Sequence, residues 1–310
     1  MNFLFIIAGF GLLILGGNWL LKSAVAISLK LEIPKIVIGM TVVSFATSAP
    51  ELIVSVKAAI NNSSDLALGN VVGSNIANIG LVLGITLLFG KIDVQESFHK
   101  TDWPIMIITS GLLYFFLQND QIISNLEGII LFSFLIIFLI YLLKFQKKAV
   151  IDEMPEDDED LPTLKTLLFF IIGGIGLWSG SELLIRGATS LALEFGVTER
   201  VIAVTVVSVG TSIPELAASL IAVIKKEKAI SLGNLIGSNI FNILAVIGIT
   251  SIITPISVID DRLLTNDIFW MLGISILILP LVFLPKGLRL NWKDGIVLLG
   301  CYVFFIFQTF

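Results

Sequence analysis

Apolar residues in this chain neither alternate with polar ones nor recur on a single helical face. They run together in ten blocks, at residues 3–28, 35–60, 66–90, 102–118, 122–143, 164–190, 199–224, 229–253, 266–284 and 293–309. A helix rises about 1.5 Å per residue, so about 20 apolar residues cross the hydrocarbon of a bilayer. The pattern predicts an all-α polytopic membrane protein with ten transmembrane helices. The first block has no Lys or Arg before it and no small-residue cleavage site after it, so it reads as a retained span and not as a signal peptide. The connections between blocks are short except at 144–163, a polar, doubly prolined segment with "DEMPEDDED" at its centre. That linker separates a first five-helix half, 1–143, from a second, 164–310.

Five is an odd number, so the second half starts from the opposite side of the membrane and the two halves have inverted topologies. Lysine and arginine favour the cytoplasmic side. With the N-terminus outside, fifteen of the nineteen Lys and Arg residues fall on the cytoplasmic side, and only Lys57, Arg186, Arg200 and Arg262 fall opposite. Both termini are then outside and the acidic linker is cytoplasmic.

The halves also repeat in sequence. Residues 36–86 overlay 200–250 without a gap at an offset of 164, with 27 identities in 51 positions. Composition alone makes apolar blocks match. It does not place the same Thr, Ser, Pro, Glu, Gly and Asn at the same offsets, as in "TSAPEL" and "TSIPEL" or "GNVVGSNIAN" and "GNLIGSNIFN". A repeat of opposite topology predicts a duplicated site near the membrane midplane, formed where helices are interrupted.

The interruptions are at Pro50 and Pro214. Proline lacks an N–H, which frees the carbonyls of Ala46 and Gly210 from their helical partners. A free carbonyl is costly in lipid unless it lines a cavity. Beside each proline stands a glutamate, Glu51 or Glu215, in mid-span, where an ionised group marks a functional site. No Lys or Arg lies in the central parts of the motifs to pair with them, so the compensating charge must come from solution. The surrounding groups are neutral oxygens: the hydroxyls of Thr47, Ser48, Ser74, Thr211, Ser212 and Ser238 and the amides of Asn78 and Asn242. Such a set suits a hard cation, of which Ca²⁺ takes about 6–8 oxygen ligands. Without thiolates or imidazoles in the motifs, soft metals are disfavoured. Two ionised glutamates balance one Ca²⁺ or two Na⁺, so the two ions compete naturally for one site.

These paired motifs closely resemble the two repeats of the cation/Ca²⁺ antiporter superfamily, and the Pro-Glu form resembles its sodium/calcium exchanger branch of prokaryotic type. The resemblance implies that Glu51 and Glu215 bind Ca²⁺ with help from Thr47 and Thr211. It also implies Na⁺ sites at Ser48, Ser74, Ser212 and Ser238 with the backbone carbonyls of Ser44 and Ser208, and a central site lined by Asn78 and Asn242. Some sodium-coupled relatives carry Asp at the position of Asn242; Asn in both repeats removes a third acid and argues against K⁺ dependence. The implied activity is secondary active exchange of Na⁺ for Ca²⁺ by alternating access. A Ca²⁺/H⁺ antiporter on the same fold is the alternative.

A cation channel would show a filter loop or ring of acids, and an enzyme a nucleophile–base pair; the sequence offers neither. The expected partners are the two transported ions and the lipid bilayer of a prokaryotic cell membrane. No cofactor and no nucleic acid are expected, and one chain holding both repeats is sufficient for transport. The glycine-rich first and sixth blocks ("GFGLLILGG", "IIGGIGLWSG") are read equally as sliding surfaces or as ordinary helix contacts. The acidic linker is expected to be solvated, His99 to be a solvated surface residue, Cys301 to face lipid or fill packing, and Glu182 and Arg186 to pair on one helix face.

Overall fold

The computed structural model describes residues 2–145, 161–195, 208–284 and 287–309. Within them the regular structure is helical apart from four two-residue strands. The helices are α1 (Asn2–Leu31), α2 (Lys35–Thr47), α3 (Ala49–Ile60), α4 (Ser64–Phe89), α5 (Trp103–Asp120), α6 (Asn125–Phe145), α7 (Thr163–Glu194), α8 (Ile213–Ile224), α9 (Lys228–Ile253), α10 (Ile268–Phe283) and α11 (Trp292–Thr309). Among the described residues, six helices are long and apolar enough to cross a membrane, or seven if α2 and α3 form one bent span. The expected seventh block is described only from Ser208 onward, and the acidic core of the linker, 146–160, lies outside the described residues.

The longest helices, α1 and α7, pack antiparallel: Gly9 meets Gly180 and Gly16 meets Gly173. A Cβ on Gly9 would lie 2.8 Å from the Gly180 carbonyl oxygen, and one on Gly16 would lie 2.8 Å from that of Gly173. Only glycine permits this backbone contact. The glycines of the first and sixth blocks therefore mainly form the seam between α1 and α7, the ordinary packing role. The outer faces of this pair are apolar and exposed, with Ile7, Phe10 and Ile14 on one helix and Leu167, Ile171 and Ile175 on the other. Such a surface matches lipid, not water.

At the centre, α4 and α9 carry the repeat motifs. In each, 78% of the span is buried, against 33% for α1 and 28% for α7. Helix α2 runs parallel to α9, with Gly39 against Gly233 and Met40 against Gly237. Two antiparallel ladders tie the ends together. Strand β1 (Ile92–Asp93) pairs with β4 (Arg289–Leu290), and β2 (Ile122–Ile123) pairs with β3 (Ile256–Ser257). Each joins a connection of the first half to one of the second. His99 departs from expectation: it is half-buried, with its ring edge-on to Phe283 at 5.4 Å, because the connection folds back onto α10. Glu182 and Arg186 do pair, at 2.8 Å on an exposed face of α7.

Candidate functional site

The site begins with the two helix breaks. Ser48 leaves helical geometry (φ −85°, ψ 4°), α2 ends before it, and α3 leaves at an angle of 46°. Pro50 is the second residue of α3, where a missing N–H costs nothing because the first turn has no intrahelical acceptor for it. Ser212 repeats the conformation (φ −86°, ψ 2°), and Pro214 is the second residue of α8. Each break therefore starts a helix with a glutamate in its first turn: Glu51 in α3 and Glu215 in α8. There the positive end of the helix dipole favours a carboxylate.

Both glutamates are fully buried, at 0% exposure. Ser48 Oγ and Ser238 Oγ donate to Glu215 Oε1 at 3.3 and 3.4 Å, so a residue of the first repeat serves the acid of the second. Thr47 Oγ1 bridges to Asn234 Oδ1 (3.1 Å) and Ser238 Oγ (3.3 Å), and Ser74 Oγ meets Thr211 Oγ1 at 3.2 Å. No Lys or Arg pairs with either carboxylate among the described residues. Nor do three or more His, Cys, Asp or Glu side chains gather there.

The asparagines are ordered by a symmetric clamp. Asn75 Nδ2 donates to the Asn239 carbonyl and Asn239 Nδ2 to the Asn75 carbonyl, both at 3.1 Å. Asn78 Nδ2 then donates to Asn239 Oδ1 (3.1 Å) and Asn242 Nδ2 to Asn75 Oδ1 (3.0 Å). The NH₂ groups are thereby used, and the carbonyl oxygens of Asn78 and Asn242 remain. At these two residues the helices widen into π-helical turns, Asn78–Leu83 and Asn242–Ile247, a feature common at functional sites. Sequence reasoning did not place Asn75 and Asn239 in the site. Their signal was present: each lies three residues before the predicted asparagine, on the same helix face, at the repeat offset.

Buried oxygen atoms without a hydrogen-bond partner among the described residues concentrate here. Six of them lie here: both Oε of Glu51, Oε2 of Glu215, Oγ of Ser212, and Oδ1 of Asn78 and Asn242. An unsatisfied buried acceptor costs about 1–3 kcal/mol, and more for a charged group. Six together are tolerable where a cation supplies the missing interaction.

The other two predicted ligands are the backbone carbonyls of Ser44 and Ser208. The hydroxyl of Ser44 is committed to the carbonyls of Gly39 and Asn234, both at 2.9 Å, and its carbonyl already accepts the Ser48 N–H at 2.9 Å. Ser208 begins the short helical turn Ser208–Gly210, and its side chain is outside what is described. The carbonyl of Gly210, freed by Pro214, accepts a hydrogen bond from Ser181 Oγ of α7 at 2.8 Å.

Paired acids without basic partners, ringed by neutral oxygens and carried on broken helices inside an apolar shell, define a membrane ion transporter. The family follows from comparison. The family model described as "Sodium/calcium exchanger protein" matches residues 1–144 and 165–310, and the chain belongs to that family. The chain is 37% identical to the candidate antiporter CaxA of Alkalimonas amylolytica, over 99% of this chain and 98% of the relative. It is 30% identical to the sodium/calcium exchanger MaX1 of Methanosarcina acetivorans, over 100% and 99%. Among solved structures it matches the sodium-calcium exchanger NCX_Mj soaked with zero Na⁺ and Ca²⁺, with a TM-score of 0.84 and 27% identity over 100% of this chain and 99% of that one. The protein is therefore a Ca²⁺ antiporter of the exchanger family, an integral membrane transporter and not an enzyme, and its ions are substrates, not cofactors.

Proposed function

We propose that this chain exchanges Na⁺ for Ca²⁺ by alternating access at one central site built from both repeats. Ten spans form two five-helix halves of inverted topology, with both termini outside and the linker cytoplasmic. Glu51 and Glu215 supply two negative charges. Thr47, Thr211, Ser48, Ser212, Ser74, Ser238, Asn78 and Asn242 supply neutral oxygens, and the carbonyls of Ser44 and Ser208 flank the breaks. One Ca²⁺ or two Na⁺ neutralise the pair, and further Na⁺ can rest on the hydroxyls. An empty site leaves two buried carboxylates bare, which disfavours passage between the outward and inward states. One chain contains the whole site, so a monomer suffices.

The observation that supports this reading is the set of six unpartnered buried oxygens, three of them on the two acids themselves, which no basic residue neutralises among the described residues. Proton coupling is the second reading, since Asn78 and Asn242 leave only two acids at the centre. The test is Ca²⁺ uptake into proteoliposomes under separately imposed Na⁺, pH and voltage gradients. Uphill uptake driven by the Na⁺ gradient supports Na⁺ coupling, and uptake driven by the pH gradient alone replaces it with H⁺ coupling. Glu51→Gln and Glu215→Gln should each abolish uptake. Near-normal Na⁺-driven flux in either variant would overturn the site.

A further inference from the structure

Away from the central site, a cavity of about 500 Å³ lies between α1, α7 and the end of α8, at the lysine-rich end of the molecule. Its charged lining consists of Lys22 from α1, Lys165 from α7, and Lys225 and Glu227 just beyond α8. The acid does not balance the bases. Glu227 is held by Lys35, whose Nζ lies 2.9 Å from one carboxylate oxygen and 3.0 Å from the other. That leaves Lys22, Lys165 and Lys225 around one cavity without an ion pair among the described residues. Lys165 Nζ lies over the face of Phe169, at 5.6 Å from the ring centroid.

Three ammonium groups on one cavity repel each other and present up to nine N–H donors with no acceptor of their own. A transported cation gains nothing from such a lining. We propose that this cavity binds a phosphate-bearing anion, held by Lys22, Lys165 and Lys225. Lysine serves phosphate as a compact point charge. A basic pocket between membrane helices on the cytoplasmic side has the setting in which lipid headgroups are bound. Two sources share this chemistry, the headgroup of an anionic phospholipid and free phosphate. The occupant touches both members of the α1–α7 pair and the residues just beyond α8, the helix with Glu215 in its first turn, so its binding bears on the exchanger whichever ion drives it.

The experiment uses the full chain in detergent. Native mass spectrometry counts bound phosphatidylglycerol against phosphatidylcholine, with inorganic phosphate as a separate titrant. The wild type should prefer phosphatidylglycerol, and Lys22→Gln/Lys165→Gln/Lys225→Gln should weaken that binding by about tenfold or more. The three single variants, each weakened less, serve if the triple variant fails to fold. Lys91→Gln/Lys144→Gln, on the same side but outside the cavity, should keep the preference. Lysine-dependent binding of inorganic phosphate without lipid preference keeps the proposal and assigns the free anion. Equal binding by wild type and the triple variant overturns it. So does a wild type that binds neither ligand, in which case the chain's own acidic run, ending one residue before the lining residue Leu161, becomes the candidate counter-charge.

Discussion

Gly233 on α9 offers a direct test of how the two halves close on each other. A Cβ at this position would sit 2.3 Å from the Ile36 carbonyl oxygen, 3.1 Å from the Met40 nitrogen and 3.2 Å from the Gly39 Cα. These are backbone atoms, so no side chain can swing aside. Restoring an ordinary contact requires α2 and α9 to part by about 1 Å, an overpacking that costs about 1–3 kcal/mol. The same movement would stretch Thr47–Asn234 from 3.1 Å and Thr47–Ser238 from 3.3 Å beyond hydrogen-bonding range. The repeat equivalent, Gly69, meets nothing within 4 Å among the described residues. Gly233→Ala should therefore lower the melting temperature and shift the balance away from this packing by a factor of about 5 to 150. Gly69→Ala should leave the melting temperature unchanged. If the halves exchange roles during transport, Gly69 becomes the tight position in the opposite state, and its alanine variant loses Ca²⁺ flux without losing stability. Thermal melts in detergent and Na⁺-driven Ca²⁺ uptake read the two effects. Equal stability losses at both positions, or none at Gly233, would refute the reasoning.

Three other outcomes are expected. Protonating Glu51 or Glu215 removes charge from the proposed cation site, so flux should fall as the medium is acidified; a rate that stays flat through the acidic range counts against the site. Ser181→Ala leaves the buried Gly210 carbonyl without its partner, and should cost about 1–3 kcal/mol in a denaturation midpoint, whereas Ser181→Thr should recover part of it. At the end of β1, the hydrogen bond from Arg289 Nε, at 2.7 Å, holds the Asp93 carboxyl below its usual range. Its stabilisation is present above the ordinary carboxylate pKa, about 3.9, and is lost as pH falls through the lower folded value. Because Asp93 is mostly exposed, Asp93→Asn should cost well under about 1 kcal/mol, and a larger loss in a melt at neutral pH would contradict that assignment.

Much of the arrangement was legible because it follows from period and offset. Apolar blocks of bilayer length mark the helices, and the offset of 164 pairs Glu51 with Glu215 before any contact is known. Proline next to an acid locates both breaks, since proline fits the second position of a new helix and not the interior of an old one. What stayed hidden depends on rotation and approach between helices. The reciprocal bonds of Asn75 and Asn239 require α4 and α9 to cross at these residues, and the π-helical turns that set their facing have no marker in the sequence. Ser181 lies outside the repeat motif, so nothing in the pattern ties it to Gly210. The half-burial of His99 depends on where its connection folds against Phe283, a contact far away along the chain.

The motif residues of the two repeats match closely, yet their surroundings do not. Glu215 receives hydroxyls from Ser48 and Ser238, while both oxygens of Glu51 lack a partner among the described residues. Thr47 reaches Asn234 and Ser238, whereas among the described residues Thr211 reaches Ser74 alone. Asn234, Gly233 and Gly237 are buried; Asn70, Gly69 and Gly73, their equivalents, are partly exposed. The shared motif residues do not by themselves dictate which half closes, although Gly39 and Met40, which pack against α9, have Ala203 and Val204 as their counterparts. Under the alternating access proposed above, each half would take up either arrangement in turn, and binding energy of a few kcal/mol at the shared site would choose between them. In that proposal the two copies of the motif serve one purpose: closure of one half against α9 and of the other against α4 would open the same carboxylates to opposite sides.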